Sequence, residues 1–131
     1  MNRARLVLVD QNDLLLDMLS ACLGRIEGLE VAGTARTGST AVTLVDQVAP
    51  DVVLLNLTLP DMSGLTALRW MKSLPRAPLV IMMTFDCSKA ARAAICELGA
   101  DDCIIKSDLA QAIWPTVERL LRERGAAGSM N

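Results

Sequence analysis

Apolar runs alternate along this chain with stretches whose apolar residues recur every three or four positions. Leu6-Val7-Leu8-Val9 is uninterrupted, as a strand buried on both faces requires. Leu14, Leu15, Met18, Leu19 and Cys22 then fall at helical spacing, and Gly24 or Gly28 ends that helix. Residues 30–34 read as a weaker strand. A helix over about 39–48 follows, with Val42, Val45 and Val48 on one side. Val52-Val53-Leu54-Leu55 is the strongest strand pattern in the chain. Leu65, Leu68, Met71 and Leu74 mark a third helix, with Pro75 and Pro78 bracketing its exit. Residues 79–83 form a fourth strand, 90–98 an alanine-rich helix ending at Gly99, and 103–105 a short fifth strand. A last helix ends near Arg124. Pro115 falls inside it and predicts a kink, or a start delayed to about Trp114, because proline brings no amide hydrogen to a helix interior.

Strand and helix in strict alternation predict an α/β fold: a doubly wound, five-stranded parallel sheet covered on both faces. Right-handed crossovers make the flavodoxin-like (βα)5 strand order 2-1-3-4-5 the leading arrangement. The pattern occupies residues 1–124, and 125–131 read as a short flexible tail. In such sheets ligands bind beyond the carboxyl ends of the strands. Those ends are Asp10, Asn56, Thr84 and Lys106, each a polar residue closing an apolar run, so the four are expected to share one cleft.

Composition narrows the function. The chain is 52% hydrophobic, enough for a packed core. Its net charge is −2 and no run of like charge exceeds two residues, which argues against direct nucleic-acid binding. No apolar run approaches the roughly 18 residues of a membrane span, and the run after the basic start is too short for a signal peptide. A cytoplasmic protein is expected, with no membrane contact. Histidine is absent, which removes imidazole catalysis, imidazole metal ligands and a phosphohistidine. No glycine-rich loop follows the first strand. An enzyme is not expected. Cys22, Cys87, Cys96 and Cys103 show no Cys-x-x-Cys spacing and read as reduced core thiols.

Several segments in order carry a resemblance: Val9-Asp10, Leu54-Leu55-Asn56-Leu57-Thr58-Leu59-Pro60-Asp61-Met62-Ser63-Gly64, Met83-Thr84, and Gly99-Ala100-Asp101-Asp102-Cys103-Ile104-Ile105-Lys106. Over essentially its whole folded length the chain resembles the receiver domains of bacterial two-component response regulators. The resemblance implies phosphorelay signalling. In the family an acidic pair after the first strand and an acceptor aspartate after the third hold Mg²⁺, and the acceptor takes a phosphoryl group from a partner histidine. By that match Asp10 is the first acid, Thr58 the residue whose carbonyl ligates the metal, and Thr84 and Lys106 the phosphoryl-binding hydroxyl and ammonium.

Three positions depart from the pattern: Asn56 stands at the acceptor, Gln11 at the second acid, and Cys103 at the aromatic switch. A carboxamide is no carboxylate nucleophile, so Asn56 cannot form an acyl phosphate. Three carboxylates against one lysine would call for a divalent ion; one carboxylate against one ammonium is formally neutral. Asp10 is therefore expected to pair with Lys106, with Asn56 bridging them. Mg²⁺ is expected to bind weakly or not at all unless the acidic site is restored, and no other cofactor is implied. Cys103 is too small for a rotating lever and reads as a strand residue facing a helix, with a redox-sensing thiol as the sharper alternative that no sequence feature supports. Asp61 reads as a loop residue rather than a substitute acceptor.

Other signals have plainer readings. Arg36-Thr37-Gly38-Ser39-Thr40 follows the wrong strand for a flavin loop and reads as a helix start capped by Ser39 or Thr37. The Asn56-Leu57-Thr58 sequon is accidental. Arg119, Arg122 and Arg124 suit a helix end and solvent. The expected function is a phosphorylation-deficient receiver acting as a protein-interaction module. By family analogy it meets a sensor kinase, an effector or another regulator through the face of the fourth helix, fifth strand and fifth helix. Lys89, Arg92, Ile104 and Trp114 represent that face, and a homodimer could use it too. The alternative is an ordinary Mg²⁺-dependent receiver in which Asn56 is an engineered silencing substitution. The otherwise intact loop favours that alternative, and Gln11 and Cys103 oppose it.

Overall fold

The computed structural model describes residues 3–129. Five strands alternate with five helices: β1 (Ala4–Val9), α1 (Asp13–Leu23), β2 (Leu29–Ala35), α2 (Gly38–Val48), β3 (Val52–Asn56), α3 (Gly64–Lys72), β4 (Leu79–Thr84), α4 (Lys89–Glu97), β5 (Asp102–Ile105) and α5 (Leu109–Ser129). A single 3₁₀ turn, Lys106–Asp108, joins β5 to α5. The strands form one parallel sheet in the order β2-β1-β3-β4-β5, as expected from the alternation.

The period-two geometry of a strand divides the core in two. Val7, Val9, Val53, Leu55, Val80, Met82 and Cys103 point to one face, where they meet Ala41 and Val45 of α2, Leu68 and Met71 of α3, and Ile95 of α4. Leu6, Leu8, Val52, Leu54, Ile81, Met83 and Ile104 point to the other, against Leu16, Leu19 and Leu23 of α1 and Ile113, Val117 and Leu120 of α5. Each fully buried aliphatic side chain contributes roughly 2 kcal/mol of transfer free energy. That burial explains why these runs show no polar alternation.

Three local expectations are corrected. On α1, Leu14 and Met18 are 76% and 55% exposed and Cys22 is exposed; of the expected stripe Leu19 faces the sheet and Leu15 packs beside it, joined by Leu16 and Leu23. Pro115 does not delay α5, which begins at Leu109 and continues through it. Pro115 and Gln111, whose carbonyl it leaves without an amide partner, both lie on the exposed side, open to solvent. Helix α5 also continues past Arg124, where its end was expected; residues 130 and 131 of the expected tail lie outside the described residues. No helix among the described residues is long and apolar enough to cross a membrane.

The loop after β3 is held by a close backbone approach at Gly64. Its amide donates to the Leu57 carbonyl at 2.7 Å, and a Cβ there would sit 2.2 Å from the Asn56 carbonyl oxygen and 2.9 Å from Leu57 Cα. These obstacles are backbone atoms and cannot swing aside. Gly64→Ala is expected to destabilise the fold by about 2 kcal/mol, read as a lower urea midpoint at unchanged slope.

Candidate functional site

Parallel pairing places the four polar strand ends side by side. Val9 pairs with Leu55, Asn56 with Met83, and Thr84 with Ile105, so Asp10, Asn56, Thr84 and Lys106 follow one another along the carboxyl edge. Asp10, Asn56 and Thr84 are buried. β1 and β5 lie three strand spacings apart, about 14 Å. Across this gap the extended Lys106 side chain brings its Nζ to 2.7 Å from Asp10 Oδ2. The expected pair is present, and it runs over the ends of the two intervening strands. Asp10 is only 1% exposed on its side chain and Lys106 12%, so neither charge keeps a full hydration shell and each depends on the other. The second Asp10 oxygen accepts the Asn12 amide at 2.9 Å, anchoring the carboxylate where α1 begins.

Asn56 does not bridge this pair as expected. Its Nδ2 donates to the Thr58 carbonyl at 2.6 Å. The amide thereby satisfies itself on the adjacent backbone, two residues on, which is a common local solution for asparagine. Thr58 itself is exposed and bridges to Ser63 across the loop. Gln11 is exposed. Thr84 Oγ1 accepts the Asp86 amide at 3.2 Å, which orders the turn after β4.

Two participants carried no signal in the sequence reading. Phe85, the single phenylalanine, is 82% exposed, yet the Lys106 ammonium lies 5.1 Å from its ring centroid. Its position directly after Thr84 was the available clue. A cation over an aromatic face is attracted to the ring quadrupole, so Phe85 roofs the lysine that pairs with Asp10. Asp61 caps α2 from a distance in sequence: its carboxylate accepts the Gly38 amide at 2.7 Å and the Ser39 amide at 3.0 Å. Those backbone donors hold its pKa below the ordinary carboxylate value. Thr37 is the N-cap proper, as the sequence suggested.

Residues 6–115 match the family described as response regulator receiver domain. The chain belongs to that family. Among curated relatives of this receiver, the transcriptional regulatory protein YdfI of Bacillus subtilis (strain 168) is 27% identical over 118 residues, covering 90% of this chain and 55% of that protein. A protein-glutamate methylesterase/protein-glutamine glutaminase of Desulfotalea psychrophila is 35% identical over 109 residues, covering 81% of this chain and 30% of that protein. Among solved structures, a LuxR-family two-component response regulator from Aurantimonas sp. SI85-9A1 superposes with a TM-score of 0.85 at 25% identity, covering 93% of this chain and 87% of that one. The receiver spans about half or less of the curated relatives it matches. The expected exclusion of any enzyme is corrected by the Desulfotalea relative, which is an enzyme by name and carries a receiver like this one as its matched part.

The expected interaction face of this receiver is also corrected in part. Lys89 and Arg92 are exposed on α4, but Ile104 is 4% exposed and belongs to the core. Trp114 is half-buried beside Arg3, Ala4 and Gly28, at the opposite edge of β1 from the cleft. Arg119 is not simply solvated. It and Arg92, from α5 and α4, both bind the buried Asp102 carboxylate, Arg92 at 2.6 Å. Asp102 thus ties both helices to the start of β5. Cys103 faces the helices as expected, whereas Cys22 is no core thiol.

Lys106→Met strands the Asp10 charge and is expected to cost about 3 kcal/mol in urea unfolding, with Asp10→Asn in the same molecule restoring most of the loss. For Asp61 the folded-state pKa lies below the unfolded 3.8, so its contribution is complete above that pH and is lost as pH falls through the lower folded value. Asp61→Asn is therefore expected to lower Tm at neutral pH, and the difference from the unsubstituted chain to vanish in strong acid; thermal melts across the pH range check this.

Proposed function

We propose that this receiver is phosphorylation-deficient and signals by binding a protein partner rather than by accepting a phosphoryl group. The observation that carries the reading is Asn56 itself: a carboxamide ends β3, and its nitrogen is spent on the Thr58 carbonyl. A nucleophile for phosphorus needs a free carboxylate oxygen there. The donor set also fits a divalent ion poorly. Mg²⁺ seeks an octahedron of hard oxygens with carboxylate among them. Asp10, its one candidate carboxylate here, is ion-paired to Lys106, the Thr58 carbonyl already accepts an amide, and Gln11 is neutral and exposed. The residues therefore do not suit the metal.

On this reading residues 1–124 act as an interaction module within a response-regulator pathway. The partner is a sensor kinase, an effector or another regulator, and a second copy is a further candidate. The exposed cations Lys89 and Arg92 on α4 support a partner face there. A second reading, an ordinary receiver silenced by substitution at Asn56, draws support from the loop between Leu57 and Gly64, which follows the family pattern and is closely packed at Gly64.

Incubation with Mg²⁺ and acetyl phosphate, followed by intact-mass measurement, is expected to add no phosphoryl group; a phosphorylated residue in the cleft would overturn the proposal. Asn56→Asp separates the two readings. If the variant still binds neither Mg²⁺ nor beryllofluoride, the deficiency extends beyond position 56 to Gln11. If it binds both, the second reading holds.

A further inference from the structure

The two sulfur atoms of Cys87 and Cys103 lie 3.4 Å apart. Cys87 sits in the exposed connection between β4 and α4 and is half-buried; Cys103 is fully buried in β5. Both pack on the face covered by α2, α3 and α4, so the contact belongs to one continuous surface of the core. The Cys87 thiol also approaches the Cys103 carbonyl at 3.5 Å. A guanidinium nitrogen of Arg92 stands 3.4 Å from the Cys87 sulfur, held in place by the bond from Arg92 to Asp102.

We propose that Cys87 and Cys103 are a reversible redox pair that closes to a disulfide on exposure to a hydroperoxide. Thiol oxidation proceeds through the thiolate, and the Arg92 cation is placed to accompany a negative sulfur at Cys87. Burial, above all, pushes the Cys103 thiol up to about 12, with its contact to Cys87 adding to the effect. Cys103 therefore stays protonated at neutral pH, and Cys87, the more accessible sulfur, is the one that meets the oxidant.

The steps balance. The Cys87 sulfur attacks one oxygen of hydrogen peroxide, the O–O bond breaks, and Cys87 becomes a sulfenic acid with release of one water. The Cys103 sulfur then attacks the Cys87 sulfur. The S–S bond forms, the S–O bond breaks, and the departing hydroxide takes the Cys103 proton as a second water. Two thiols lose two electrons in all, and the peroxide gains them. Closure takes the sulfurs from 3.4 Å to the ~2.0 Å of a disulfide. Phe85, Asp86 and Ser88 flank Cys87 and are exposed, so the connection can yield while β5 stays fixed. The disulfide would pin to β5 the segment that places Phe85 over Lys106 and opens α4.

The test uses the full chain. It is treated with hydrogen peroxide in modest excess, blocked with N-ethylmaleimide and digested without reduction by trypsin and a glutamate-specific protease, which cuts after Glu97 and so separates Cys96 from Cys103. The expected product is a linked peptide pair carrying Cys87 and Cys103, about 2 Da lighter than the sum of the two thiol peptides, which dithiothreitol separates. The same link should form in Cys22→Ser combined with Cys96→Ser, and Cys87→Ser should abolish it. Hydrogen exchange across 85–89 should slow on oxidation. Maleimide on both Cys87 and Cys103 after peroxide, a sulfinic acid at Cys87 with Cys103 still free, or a link from Cys87 to Cys22 or Cys96 would each overturn the proposal.

Discussion

Because all five strands are sandwiched between helices, the charged side chains of the sheet gather near the ends of its strands. The ion pair between Asp10 and Lys106 is the consequence on which the cleft depends. Neither group is well hydrated, and each would be an isolated buried charge without the other. Their attraction draws the Lys106 side chain across the ends of β4 and β3, and Phe85 closes over it. The other Asp10 oxygen, bound to the Asn12 amide, links that arrangement to the start of α1. One electrostatic contact thus couples the first and last strands, which share no backbone pairing.

The strands were legible because two-sided burial leaves a plain record: Leu6–Val9 and Val52–Leu55 have no polar face to hide. The strand ends, and with them the cleft residues, followed directly. Helix orientation was less legible. Leu14, Leu15 and Leu16 are consecutive, so two apolar stripes can be drawn through α1, and only docking on the sheet selects the one through Leu16, Leu19 and Leu23. Of the two outcomes expected at Pro115, the delayed start does not occur: α5 begins at Leu109 and runs through the proline, which faces water.

What the sequence concealed were contacts made across long separations. Asp61 looked like a loop residue because its partners, Gly38 and Ser39, lie more than twenty positions earlier. Asp102 gave no hint that it holds two helices through Arg92 and Arg119. Asn56 was misjudged in the opposite direction. A bridge between two distant charges was expected, but a nearer carbonyl, on Thr58, was already within reach. A local acceptor requires less ordering of the chain than a distant one, and the amide takes it.

These contacts separate two regions of the molecule that the proposed readings treat differently. At the carboxyl edge, Lys106 pairs with Asp10 and Asn56 donates to the Thr58 carbonyl. On the flank, Arg92 divides its guanidinium between Asp102 and the Cys87 sulfur. If Cys87 joins Cys103 as proposed, the helix that presents Lys89 and Arg92 is tethered to β5 just before its start. On the proposed reading the receiver accepts no phosphoryl group, and a signal would reach its partner face through some other two-state element. The proposed thiol pair beside β5 is such an element, set apart from the cleft.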